Sequence, residues 1–167
     1  MFRRVLFRST SGLSQDELYD LNLYLLALGE LPTRQRSYDE LAELTDYYLS
    51  NAQAALIYPG REGSAHHYPM LQISWYALTE DFETTLKLML ETLWETEFTD
   101  AGALAGIIEK YKEEYNPAVR SADQTASILA DSYLDDNSAY YCYLNSPGFY
   151  AYLQETREKL QIGRAHV

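Results

Sequence analysis

Cysteine occurs once in the 167 residues, at Cys142, so no disulfide can form within the chain. The single thiol is compatible with a reducing compartment, which favours the cytoplasm. Basic residues are scarce: 13 Lys and Arg stand against 25 Asp and Glu, for a formal charge of −12. Binding to nucleic acid or to anionic lipid depends on Lys and Arg neutralising phosphates, so neither nucleic acid nor membrane is an expected partner. No apolar run approaches the roughly 20 residues that cross a bilayer. There is no glycine-rich phosphate loop, no Gly-x-Ser-x-Gly elbow and no His-x-x-Glu-His pair of zinc ligands. No period of about 20 to 50 residues recurs, which weighs against a solenoid.

What is present is apolar and aromatic. Hydrophobic residues make up 47% of the chain and sixteen residues are tyrosine, a composition that folds rather than one that stays disordered. The length suits one domain.

The two ends stand apart. MFRRVLFRS (residues 1–9) and IGRAHV (residues 162–167) are basic and unpatterned. One choice of codons for Ile162 to Val167, reverse-complemented and read out of phase, encodes Arg4-Val-Leu-Phe-Arg8 and opens Ser9. Those codons resemble a sequencing adapter. The expectation is therefore that residues 1–9 and 162–167 are adapter-like artefact, that residues 10–161 form a single domain, and that Met1 is no reliable start. Leaving out Arg3, Arg4, Arg8 and Arg164 takes the charge from −12 to −16.

Helix starts are legible. Ser14-Gln-Asp-Glu17, Ser37-Tyr-Asp-Glu40 and Ser121-Ala-Asp-Gln124 are capping boxes, in which the hydroxyl accepts from an orphaned backbone amide while the Glu or Gln reaches back. Thr79, Thr99 and Ser146 are further cap candidates, followed by acid or proline in the first turn. Behind the caps, Leu18, Leu21, Leu25 and Leu28 form one helical stripe, and Phe82, Leu86, Met89, Leu90 and Leu93 a second. Leu104, Ile107, Ile108, Tyr111 and Tyr115 form a third. Gly29 should end the first helix in a left-handed cap, and Pro117 should stop the fourth. A helix follows Ser121, bends near Asp135-Asp136-Asn137 and continues toward Leu144; a last short one carries Phe149, Tyr152, Leu153 and Leu160.

Only one region breaks that period. Ala54 to Tyr58 and Met70 to Leu78 read as strands, with Pro59-Gly60 and Gly63-Ser64 supplying turn residues for an antiparallel pair. Two strands alone are marginal, so a partner strand is expected to be missing.

Nothing in the chain assembles an active site. His66-His67 offers histidine, the commonest metal ligand, but neighbours in extended chain point to opposite faces, so a solvated loop is the better reading. Asp131, Asp135, Asp136 and Asn137 lack the order of a calcium loop and read as a helix end and turn. Cys142, between Tyr141 and Tyr143, has no nearby cation to activate it and reads as a buried structural thiol. Glutamates 91, 95, 97, 109, 113 and 114 read as solvated surface. No residue is assigned a catalytic or metal-binding role, and substrate-binding residues are not identifiable.

The block LLALGELPTRQRSYDELAEL (residues 25–44), then a hairpin, then ALTEDFETTLKLMLETLWETEFTD (residues 77–100), then a long helix and NSPGFYAYLQE (residues 145–155) resembles the insulinase (pitrilysin) family of zinc metallopeptidases. This is metallopeptidase family 16, and the nearest branch is subfamily C, the presequence-protease-like enzymes. The resemblance is to the third of four homologous domains, in the C-terminal half, and covers nearly all of residues 14 to 160. One departure is visible: the family often has paired glycines before the first hairpin strand, where this chain has Leu49-Ser50-Asn51.

The resemblance implies an α/β fold of the α+β sandwich kind. Helices pack on one face of a mostly antiparallel sheet, in the order helix-helix-strand-strand-helices, truncated at its N-terminal strands. It implies a parent peptidase whose zinc and general base lie in the N-terminal half, with no cofactor in this fragment. The fragment would be a non-catalytic, chamber-forming and substrate-enclosing domain of a peptide-degrading zinc metalloendopeptidase, inactive by itself. Its partners would be the catalytic N-terminal half of the same parent chain and unfolded peptide substrates. Carboxylates on a chamber-lining sheet face would steer basic peptides; on the outer helices they would not. Two alternatives stand beside this: a scaffold or assembly subunit of the same fold without peptidase activity, and an unrelated helical peptide-binding module, which would have no sheet.

Overall fold

A computed structural model describes residues 2–59, 67–116, 122–145 and 147–164, and these hold three strands and seven helices. In chain order they are β1 (Phe2–Ser9), α1 (Gln15–Ala27), α2 (Tyr38–Tyr48), β2 (Ser50–Ile57), β3 (Met70–Ala77), α3 (Phe82–Glu95), α4 (Ala101–Tyr115), α5 (Ala122–Asp131), α6 (Asp136–Asn145) and α7 (Pro147–Arg164). The class is α+β, as expected, and the sheet excludes the all-helical alternative.

The helix starts follow their caps. Ser14 and Ser37 both close full capping boxes, with Glu17 and Glu40 accepting from the cap amides at 2.8 and 2.9 Å. Two expected caps shift. The cap position of α3 is Asp81 rather than Thr79, and it makes no side-chain bond. At α4 the cap is Asp100 rather than Thr99, its carboxylate accepting from Gly102 N at 2.7 Å and Ala103 N at 3.1 Å. An acid there also suits the positive end of the helix dipole. Gly29, at φ +78°, ends α1 in the left-handed conformation expected of it. The Ser121 box, Pro117, the Ser146 cap, Gly60 and the Gly63-Ser64 turn lie outside the described residues.

The hairpin strands pair antiparallel, with Ile57 opposite Met70 and Gln53 opposite Ser74. β2 begins at Ser50, four residues before the expected Ala54. The reason is a bulge: between Gln53↔Ser74 and Ser50↔Tyr76, two residues of β2, Asn51 and Ala52, face the single Trp75. Asn51 takes φ +49°, the left-handed region that glycine occupies freely and asparagine tolerates best among the rest. Asn51 thus takes at the bulge a conformation that glycine would adopt without strain.

The missing partner strand is supplied by the segment set aside. Phe2–Ser9 pairs antiparallel along the whole of β3, from Phe2↔Ala77 to Ser9↔Met70, giving the order β1-β3-β2. Val5, Leu6 and Phe7 favour extended chain, and β3 presents a free edge to them. The pairing closes at Thr10, whose hydroxyl and amide both donate to Pro69 O, at 2.5 and 3.3 Å. At the other end, Ile162 to Arg164 continue α7, which at 18 residues is not short.

One face of the sheet carries the helices. Ile73, Trp75 and Ala77 of β3 meet Leu41 of α2 and Leu88, Met89 and Leu93 of α3, with Tyr24 of α1 and Leu28 just beyond it alongside. Trp75 is 1% exposed, and its indole N–H donates to Thr85 Oγ1 at 3.3 Å. α1 is covered from behind as well. Its Leu23 packs with Ile108 of α4 and Phe149 and Leu153 of α7, and its Ala27 with Leu31 and Ile107. That two-sided burial is why leucines occur nearly all round α1 rather than in one stripe. The α3 stripe is also not as expected: Leu88, Met89 and Leu93 are buried with Thr85 and Glu91, whereas Phe82 and Leu90 are exposed. Residues 82, 86, 90 and 94 form a second apolar line at four-residue spacing, turned toward β1, where the Arg4 guanidinium lies 4.8 Å from the Phe82 ring centre.

Candidate functional site

Alternation along β3 puts Gln72, Ser74 and Tyr76 on the face away from α2 and α3. Their cross-strand partners Phe7, Val5 and Arg3 on β1, and Ala55, Gln53 and Ser50 on β2, share that face. None of the three apolar clusters of the core reaches it. Arg3, Phe7, Gln53 and Ala55 are solvent-exposed, and Ser74, on the central strand, is buried. Among the described residues the face is thus not covered by the core clusters, and it carries amide and hydroxyl groups with the Arg3 guanidinium. It carries no carboxylate: no Asp or Glu occurs in β1, β2 or β3. Among the described residues the acids lie on helices and loops, outside the three strands.

The other candidate residues resolve into structural roles. His66 lies outside the described residues. His67 is half-buried at the end of the hairpin loop, and its backbone N–H donates to Asp136 Oδ2 at 3.1 Å, tying the loop to α6. Asp135 caps α6: Ser138 N and Oγ donate to its two carboxylate oxygens at 3.0 and 2.8 Å, and these bonds hold its pKa below the usual value. Asp131 and Asn137, with Tyr58, Ile128, Ser138 and Tyr141, line a depression of about 250 Å3. Cys142 is buried, as expected of a structural thiol. Among the described residues no three His, Cys, Asp or Glu side chains gather as a metal site would need.

One glutamate departs from the solvated reading. Glu91 is 7% exposed and accepts from Thr33 Oγ1 at 2.6 Å and from the Arg36 guanidinium. The surrounding backbone joins the same strap, with Arg34 N donating to Glu95 O and Glu97 N to Pro32 O, both at 2.9 Å. Residues 31–36 are thereby fastened along the end of α3, joining two of the blocks that carry the family pattern. A carboxylate in such a place is tolerated because charge and hydrogen bonds are both satisfied. The available sign was its neighbourhood: Glu91 sits between Leu88, Met89 and Leu93 in a chain with few basic residues to spare. Glu109 behaves as expected at the surface, bridging Lys112 at 2.9 Å and Arg157 at 2.5 Å.

Against known protein families, the model for the region associated with peptidase family 16, subfamily C, matches residues 3–155. The chain belongs to this peptidase-associated family. The match includes β1 from Arg3 onward, the strap and the open sheet face. Among curated proteins none matches the chain. The match marks the chain as an accessory region of a family 16 peptidase. No helix among the described residues is long and apolar enough to cross a membrane.

Proposed function

We propose that this chain is a non-catalytic domain of a peptide-degrading zinc metalloendopeptidase, forming part of the chamber wall and enclosing the peptide substrate. The observation that carries this reading is the family match over residues 3–155. The architecture is consistent with it: one sheet face is sealed by helices, and the other is left bare with groups that accept and donate hydrogen bonds. A surface without carboxylates would bind extended peptides without selecting basic ones. The zinc and the general base would come from the catalytic N-terminal half of the same parent, which would also be the domain's principal partner. None of the described residues of this chain is gathered to hold that metal, so no step of hydrolysis is assigned to them.

Reconstitution tests the proposal. The full chain with zinc and an unstructured, internally quenched peptide should leave the peptide intact. Added to the separately expressed catalytic half of a subfamily C peptidase, it should bind and raise cleavage. Cleavage by the chain alone, or failure to bind any such half, would end the reading. Binding without any gain in cleavage would favour the scaffold alternative.

A further inference from the structure

We propose that Tyr19 and Tyr143 are an oxidative cross-linking site, at which a peroxide-fed one-electron oxidant forms a dityrosine bridge between α1 and α6. The two rings lie face to face, with centroids 4.3 Å apart and planes 6° from parallel. Face-to-face packing at that separation leaves only a small slide between the rings before the carbons ortho to the two hydroxyls meet. Those ortho carbons carry much of the unpaired spin in a tyrosyl radical and are the atoms that couple.

No other described pair of tyrosines combines these features. Tyr19 and Tyr152 are 5.1 Å apart but tilted by 33°, and the Tyr152 hydroxyl donates to Asp20 at 2.6 Å. Tyr58 and Tyr141 meet at 80°, and Tyr68 and Tyr140 are 6.3 Å apart. Tyr47 and Tyr48 meet at 78°. The Asp16 carboxylate acts on both Tyr19 and Tyr143, and a negative charge there favours loss of an electron from either ring. Both side chains are half-buried, so they remain within reach of small oxidants while packing holds them in register.

The chemistry balances with peroxide as the terminal oxidant. Each tyrosine gives one electron to the oxidant and its hydroxyl proton to solvent. The two radicals then form one carbon–carbon bond between ortho positions. Each ring regains aromaticity by losing its ortho hydrogen as a proton while its oxygen takes one up. In sum, two tyrosines and one hydrogen peroxide give one dityrosine and two waters.

The full chain, kept dilute and treated with hydrogen peroxide and a haem peroxidase, should develop dityrosine fluorescence while remaining monomeric. Mass spectrometry of a digest should show the peptides bearing Tyr19 and Tyr143 joined, with the loss of two hydrogen atoms. Tyr19→Phe and Tyr143→Phe should each abolish that joined species, whereas Tyr47→Phe and Tyr133→Phe, at the exposed tyrosines, should leave it in place. In concentrated urea its yield should fall to that of other tyrosine pairs. The proposal is overturned if the bridge joins other tyrosines, forms only between chains, or survives urea undiminished.

Discussion

Glu91→Ala removes an acceptor that both Thr33 and Arg36 use, in a place where water replaces it poorly. A fully buried broken ion pair costs about 3–5 kcal/mol, but Arg36 is a third exposed, so a loss of about 1–3 kcal/mol is expected in urea unfolding. Arg36→Ala should cost at least as much, because it leaves the Glu91 carboxylate buried without its counter-charge, and the double variant should cost less than the sum of the two. At the surface the same residue type acts differently. Glu17 and Glu40 have pKa values lowered from 4.5 because the backbone amides, and then the hydroxyls, of Ser14 and Ser37 stabilise the carboxylate. A folded value below the unfolded one means that the contribution is complete above pH 4.5 and is lost as pH falls through the lowered values. Glu17→Gln with Glu40→Gln should therefore flatten the dependence of stability on pH below that point, as followed by circular dichroism. The two boxes were readable in the sequence because a cap and its glutamate are three residues apart. The partners of Glu91 were not, because they lie 55 and 58 residues away.

Among the elements, the bulge in β2 and the two stripes of α3 are the informative cases. A residue other than glycine in the left-handed region costs about 1–2 kcal/mol, least for asparagine. Asn51→Gly should thus be neutral or stabilising by up to about 1 kcal/mol, and Asn51→Val should destabilise by about 1–2 kcal/mol, both read from thermal melts. The period of α3 was visible, but 3.6-residue spacing cannot say which of two apolar lines faces the sheet. Leu88 and Met89 are inside because Trp75 and Ile73 lie beneath them; Leu90 and Trp94 are left at the rim toward β1. Tryptophan fluorescence distinguishes the two lines. Trp75 is 1% exposed and Trp94 is 73% exposed, so acrylamide should quench Trp75→Phe, which keeps Trp94, far more than Trp94→Phe. Equal quenching would contradict the packing described.

For the whole molecule, the sheet depends on a strand that the sequence reading set aside. β1 pairs with β3 along eight residue pairs, and without it β3 becomes an edge in a two-stranded sheet. Deleting residues 1–9 should lower stability by about 2 kcal/mol or more and broaden the unfolding transition, since two strands are marginal even against helices. An unchanged transition would show that the helices alone hold Trp75 and Ile73 in place. The sequence by itself determined the α+β class, the hairpin, the starts of the first two helices and the family pattern. Each of these is written in contacts a few residues apart or in the period of a single element. Only the tertiary structure decided that Glu91 is buried, that the strands carry a bare face free of acids, that Phe2–Ser9 completes the sheet, and that Tyr19 stacks on Tyr143. Each of those joins residues far apart in the chain, and no local spacing encodes which distant partner a side chain or a strand edge will meet.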